Sequence, residues 1–236
     1  MKIKLFTVPN IITLCNLLCG CGSIVASLVI GDFTLAFIFV VASAVFDFFD
    51  GFTARLLRQY SDIGVQLDSL ADMVSFGVAP SAAMYALASG STAMYALPYW
   101  LTASLVFVPF IMAAFSALRL AKFNIDDTQH DSFEGLPTPA NALFCLSFVY
   151  AVVSTEKAVA IEWIALISIV MAALLVCPIR MFSFKLKSLG WKQNKMQYIF
   201  LLLSAIAFIT LGVYAVPTII VIYVVLSTIG WLVSKK

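Results

Sequence analysis

Four aspartates, Asp47, Asp50, Asp68 and Asp72, stand inside apolar stretches of a chain that is 63% hydrophobic. A carboxylate at the centre of a membrane helix costs about 2.5 to 3.5 kcal/mol on insertion scales, so it marks a functional site by default. Spacings of three and four residues put Asp47 on one helical face with Asp50, and Asp68 on one face with Asp72. A short turn near residues 60–62 makes the two helices antiparallel neighbours, and four carboxylates then converge on one small cavity. Left alone they would suffer desolvation and mutual repulsion. Hard divalent cations relieve both, because oxygen ligands suit magnesium, manganese and calcium. The expected centre is binuclear, with chemistry that polarises a phosphate and neutralises charge on the attacking and leaving oxygens.

The neighbours of the aspartates extend this reading. Gly51 and Ala54 follow Asp47 along its helix, and their lack of bulk lets a ligand approach the backbone. Small residues by themselves serve equally well for helix packing. Arg55 can meet a phosphate or a carboxylate, although a basic residue also suits that membrane edge. Asn10, Thr13 and Asn16 share a face at the start of the first apolar run, just after Pro9, where they can touch phosphate or nucleotide or cap the helix. Arg119, Lys122 and Asn124 are expected at the same level as the aspartates and can form an anion pocket. Pro137, Thr138 and Pro139 read as a structural turn. The one histidine, His130, lies in an acidic loop and stays outside the expected site.

These side chains need a scaffold, and composition names it. Mean hydropathy is +1.05 and only 11% of the residues are charged, against roughly 25% in soluble domains. The chain therefore reads as an integral membrane protein. A net charge of +2 with no basic block leaves no footprint for nucleic acid. The five cysteines (Cys15, Cys19, Cys21, Cys145, Cys177) fall in apolar runs and read as packing residues rather than disulfides. Two lysines ahead of the first run suit a signal peptide, but the run is long and no A-x-A site follows it, so a retained span is expected.

Apolar runs of the length that a bilayer needs, about 17 to 25 residues, cover residues 11–30, 33–59, 63–88, 93–121, 139–154, 158–177, 195–214 and 217–233. The expected fold is all-α, a polytopic bundle of about eight transmembrane helices in a single domain. Of the 14 lysines and arginines, only Lys157 falls on the far side of this map. The positive-inside rule then makes both termini cytoplasmic and puts the four aspartates at the cytoplasmic ends of the second and third spans. Residues 180–195, RMFSFKLKSLGWKQNK, suit an interfacial helix or a charged connector.

The segment 47–72, DFFDGFTARLLRQYSDIGVQLDSLAD, reads D-x2-D-G-x2-A-R-x8-G-x3-D-x3-D and resembles the signature of the CDP-alcohol phosphotransferase family. All eight fixed positions are filled: Asp47, Asp50, Gly51, Ala54, Arg55, Gly64, Asp68 and Asp72. The resemblance implies a membrane enzyme that moves a phosphoalcohol group from a CDP-linked donor to an acceptor hydroxyl and releases CMP. It further implies that Asp47, Asp50 and Asp68 hold the metals, Mg2+ or Mn2+ and two in number. Asp72 joins the metal site and serves as the general base, and Gly51, Ala54 and Gly64 line the cytidine pocket. A homodimer and a catalytic core over about residues 8–178, with 179–236 as an interfacial segment and two terminal helices, are also expected.

Further stretches, VPNIITLCNLLCG (8–20), DSLADMVSFGVAPS (68–81), RLAKFN (119–124) and FEGLPTPANA (133–142), are similar to the serine-accepting, integral-membrane branch of the family. CDP-diacylglycerol and L-serine are thereby implied as substrates. Serine needs a cation for its carboxylate and an oxygen or carboxylate for its ammonium, and Arg119, Lys122 and Asn124 are the candidates. Glycerol 3-phosphate or an inositol phosphate is the alternative acceptor, for which stronger cationic pockets are expected. An ion-coupled transporter also uses intramembrane carboxylates, but it predicts midplane charges and an internal repeat that the chain lacks.

Overall fold

Thr7 opens helix α1 (Val8–Val25), its hydroxyl accepting the Asn10 N–H at 3.4 Å, while Pro9 occupies an early position where no N–H is needed. Asp32 caps α2 (Phe33–Leu56) through the Leu35 N–H at 2.9 Å, and Ser61 caps α3 (Asp62–Asp72) through the Gly64 N–H at 3.1 Å. These atoms belong to a computed structural model, which describes residues 5–92, 97–125, 133–182 and 194–234. Ser61 thus sets the α3 side of the α2–α3 turn, and the Leu57 N–H closes the α2 side on the Thr53 carbonyl at 2.9 Å. Arg58 takes a left-handed φ of 52° between them.

Beyond Asp72 the third helix widens into a π-helical turn, Met73–Val78, and resumes as α4 (Ala79–Ser89). Pro80 accounts for the irregularity, since it has no N–H for the preceding turn and its ring crowds the carbonyl four residues back. Ser81 compensates by donating its hydroxyl to the Gly77 carbonyl at 2.8 Å. The next apolar rod, Tyr99–Ile125, is divided at Pro109 into α5 (Tyr99–Phe107) and α6 (Phe110–Ile125). Helices α7 (Thr138–Ser154) and α8 (Ile161–Val176) follow.

Five apolar stretches are long enough to cross a bilayer, and the longest, Lys195–Val233, has 39 residues. Gly212, at φ 58° and ψ −133°, breaks it into α9 (Lys195–Leu211) and α10 (Ala215–Ser234), which pack on each other as a hairpin. With the shorter α7 and α8 at 17 and 16 residues, the described residues form a bundle of eight crossing units, as hydropathy predicts. Boundaries shift. The second helix ends at Leu56 rather than 59, the sixth starts at Ile161 rather than 158, and the fourth runs from Tyr99 to Ile125 rather than over 93–121. Pro98 precedes the fourth helix, Arg58 leaves helical φ after the second, and Ala160 is extended at ψ 146° before the sixth.

The α3–α4 span is the centre of the bundle: 67% of its apolar window is buried, against 17% to 33% for the other long spans. Its run of small residues, Ala79 to Ala83 and Ala88, lets α1, α6, α7 and α8 approach closely. Phe76, Met84, Met112, Leu146, Ile164 and Leu175 fill the core around it. Outward-facing Leu18, Ile38, Phe107, Leu166 and Ile209 form the lipid-facing surface. The chain is an integral membrane protein.

Two sets of contacts fix the ends of the bundle. At the aspartate end, β1 (Phe133–Glu134) pairs antiparallel with β2 (Arg180–Met181), joining the segment after α6 to the segment after α8. At the other end the Ile161 N–H donates to the Thr92 carbonyl at 3.2 Å, and the rings of Tyr150 and Tyr214 stack. Among the described residues, Arg55, Arg58, Arg119, Lys122, Arg180 and Lys195 therefore share one end and Lys157 occupies the other. Most of residues 180–195, the expected interfacial segment, and His130 lie outside the described residues.

Candidate active site

Helix α2 delivers Asp47 and Asp50 from its last three turns, and α3 delivers Asp68 and Asp72 from the end nearest the bundle centre. One carboxylate oxygen each from Asp47, Asp50 and Asp68 lies within 4.8 Å of the others. Divalent ions sit about 2.0 to 2.6 Å from oxygen ligands, so the trio has the spacing to share one. Asp72 lies outside this trio, within electrostatic reach of all three. Asp50 and Asp72 are buried, and Asp47 and Asp68 are half-buried.

The donor set fits a cation on a second ground. Asp68 Oδ1 is fully buried and accepts no hydrogen bond. Among the described residues none of the four carboxylates forms an ion pair with lysine or arginine. Buried charge of one sign with an orphaned ligand oxygen is what an all-oxygen divalent site presents.

Helix α1 supplies the support. Thr13 Oγ1 donates to Asp50 Oδ2 at 2.6 Å, and Asn16 Nδ2 donates to Asp72 Oδ1 at 3.1 Å. A hydrogen bond to a charged acceptor contributes about 1.5 to 3 kcal/mol, and each bond also fixes which way its carboxylate points. Asn16 is itself pinned: its main-chain carbonyl accepts the hydroxyls of Ser43 at 3.1 Å and Ser75 at 3.0 Å. Sequence reasoning missed Ser43 and Ser75, although a serine on an apolar helix near an aspartate is a visible signal. Asn10 donates Nδ2 to the Leu5 carbonyl at 2.8 Å, with its Oδ1 beside Gly64.

The small residues divide into two kinds. A Cβ at Gly51 meets nothing within 4 Å, so this side of α2 is open beside the aspartates. Ala54 is half-buried and Arg55 exposed in the same last turn. A Cβ at Gly64 comes within 3.1 Å of Ser61 Oγ and 3.3 Å of Asn10 Oδ1, so Gly64 also admits the start of α1. Gly20, which hydropathy leaves unremarked, is tighter: its Cβ would lie 2.7 Å from Ser75 Cα. That contact brings α1 against the π-helical turn below Asp72.

The three expected acceptor residues take different partners. Asn124 Nδ2 donates to Ser69 Oγ at 2.9 Å, tying α6 to α3 beside Asp68. Lys122 forms an ion pair with Glu134 at 2.8 Å. Arg119 is within electrostatic reach of Asp72 and Tyr223, and its Nε is buried without a hydrogen-bond partner. An unmet buried donor costs about 1 to 3 kcal/mol, so Arg119 is poised for a ligand acceptor.

A family profile described as CDP-alcohol phosphatidyltransferase matches residues 6–174. Three relatives carry the name CDP-diacylglycerol--serine O-phosphatidyltransferase. The Bacillus subtilis (strain 168) protein is 39% identical over 146 residues, covering 61% of this chain and 76% of its own. The Methanocaldococcus jannaschii protein is 32% identical over 145 residues, 61% of each. The Saccharomyces cerevisiae (strain ATCC 204508 / S288c) protein is 37% identical over 126 residues, covering 50% of this chain and 42% of its own. The chain covers 76%, 61% and 42% of these three relatives' own lengths. With the profile spanning α1 to α8 and its site geometry in place, the chain belongs to the CDP-alcohol phosphatidyltransferase family.

Proposed function

We propose that this protein is a phosphatidylserine synthase that transfers the phosphatidyl group of CDP-diacylglycerol to L-serine and releases CMP. The observation that carries the reading is the trio Asp47, Asp50 and Asp68 with an orphaned oxygen, set beside Asp72 and Arg119 at one end of the bundle. The shared name of the three relatives supports serine as the acceptor.

Asp47, Asp50 and Asp68, with Asp72 completing the set, hold two divalent ions, Mg2+ or Mn2+, whose chemistry is to neutralise charge on the diphosphate. The serine hydroxyl oxygen attacks the phosphorus that bears diacylglycerol, and the bond from that phosphorus to the oxygen bridging to CMP breaks. CMP leaves with the bonding pair, and the hydroxyl proton passes to Asp72. Thr13 and Asn16 keep two of the carboxylates in a single orientation, which preserves the alignment that in-line displacement needs. The open side at Gly51, with Ala54, Arg55 and Gly64, receives the nucleotide, and Arg119, Lys122 and Asn124 serve the acceptor.

The cationic end of the bundle faces the cytoplasm, and the cell membrane is the site of action. Support comes from the charge map and the positive-inside rule. The catalytic core is residues 8–178, supported by a profile match that ends at 174. A homodimer follows from the family resemblance, and mass determination in detergent tests it.

The deciding experiment is CMP release by purified protein with CDP-diacylglycerol and Mg2+ or Mn2+, comparing L-serine, glycerol 3-phosphate and inositol 3-phosphate. Serine-dependent release abolished by a chelator is the expected result. Release with a phosphorylated acceptor alone keeps the family and overturns the substrate, and no release with any acceptor returns the transporter reading.

A further inference from the structure

Behind Arg119 lies a cavity of about 120 Å³ between α6, the β1–β2 ladder and the end of α8. Its walls include Arg119, Lys122, Glu134, Leu175 and Cys177. Glu134 lies within the stretch FEGLPTPANA, where the sequence gives it no role of its own. It stands on a wall stitched to α8 through the backbone: the Gly135 N–H donates to the Ile179 carbonyl at 3.0 Å, and the Leu136 N–H to the Leu174 carbonyl at 2.8 Å. Gly135, at φ +76°, is required there, because a Cβ would run into the Leu175 carbonyl oxygen. The carboxylate is therefore presented from rigid backbone.

Charge decides what such a cavity accepts. Arg119 brings a buried Nε with no hydrogen-bond partner, and a guanidinium fork matches a carboxylate. Glu134 already holds Lys122 at 2.8 Å, yet a carboxylate offers about four acceptor sites and can take an ammonium as well. The lining carries two cations and one carboxylate, so a simple amine meets net repulsion and an anion is drawn in, while the acceptor sites that Glu134 keeps beside Lys122 favour an anion that also carries an ammonium. A small zwitterion satisfies both walls.

Depth links the cavity to the aspartates. Asn124 and Ser69 are hydrogen-bonded where α6 and α3 run side by side. Arg119 lies five residues back from that tie and Asp72 three residues on, so at 1.5 Å per residue both lie deeper, by about 7.5 and 4.5 Å. We infer that this cavity is the subsite for a zwitterionic amino-acid acceptor, with Arg119 on its carboxylate and Glu134 on its ammonium. The inference rests on the transferase reading above and adds the ammonium ligand and the location.

Cys177 on the cavity wall provides a readout that does not need turnover. Cys15, Cys19, Cys21 and Cys145 are changed to alanine, and the protein with Cys177 as its one cysteine is alkylated with a small maleimide in the presence of Mn2+ and CMP. L-Serine slows labelling at least threefold, while 3-hydroxypropionate and ethanolamine, each lacking one of the two charges, do so weakly. Glu134→Gln raises the KM for L-serine at least tenfold with little change in kcat or in the KM for CDP-diacylglycerol, and Glu134→Asp restores part of it. An absence of serine protection alongside serine-dependent CMP release overturns the subsite and leaves the transferase reading intact. Serine protection with CMP release only from a different acceptor upholds the zwitterion site and overturns that reading.

Discussion

Asp68 is the clearest case of a residue whose environment demands a ligand, with a buried oxygen that meets no hydrogen-bond partner among the described residues. Asp68→Asn should lower metal-dependent CMP release by at least about 100-fold. The wild-type protein should gain thermal stability on addition of Mn2+, about 2.7 kcal/mol at a hundredfold excess over Kd. Absence of that gain in the wild type, measured by a melting scan with and without chelator, counts against the cation site. Asn16 acts through Asp72 rather than on substrate. Asn16→Ala should cost about 10- to 100-fold in kcat, the usual effect of removing a residue that orients a site carboxylate, while nucleotide binding by equilibrium titration stays near wild type. The role of Asn16 was only half legible: its place on the face of α1 follows from helical spacing, but its choice of Asp72 as partner depends on the crossing of α1 over α3.

Helices α1, α2 and α3 cooperate through two glycines that look alike in sequence and differ in space. At Gly20 a side chain runs into the backbone of Ser75, 2.7 Å away, and main chain cannot swing aside. Gly20→Val should therefore destabilise the protein by about 1 to 3 kcal/mol, seen as a lowered melting temperature in detergent. At Gly51 the space is open. Gly51→Ala should leave the melting temperature within a degree or two and raise the KM for CDP-diacylglycerol; a fall in stability with unchanged KM would make Gly51 a packing residue instead. The π-helical turn after Asp72 belongs to the same scale. Pro80 announces an irregular helix, whereas the depth at which the turn opens follows from Ser81 and Gly77 sharing a bond inside the core.

The whole molecule places its charges at one end. Gln59, in the exposed turn after α2, and Lys157, after α7, lie at opposite ends of the bundle. In a variant otherwise free of cysteine, Gln59→Cys should react with a membrane-impermeant thiol reagent from the cytoplasmic side alone, and Lys157→Cys from the opposite side alone. The reverse pattern overturns the cytoplasmic placement of the site. Under the proposed function such an arrangement suits an enzyme with one substrate in lipid and another in water, because the aspartates lie toward the cationic end of the bundle.

Several of these properties were determined by the sequence alone. Membrane residence, the number of spans, the end to which the aspartates belong and their helical pairing all follow from local quantities: hydropathy over a bilayer length, the 3.6-residue period and the distribution of lysine and arginine. Only the tertiary structure decided the rest. It drew three carboxylates into one cluster and set Asp72 apart on Asn16, made α3–α4 the central span, and brought Glu134 from a two-residue strand to the wall of a cavity that Arg119 also lines. Those outcomes depend on how close helices approach and at what angle, which small residues permit but do not specify. The partners are dozens of residues apart in the chain, and a linear pattern carries no record of which side chain fills which gap.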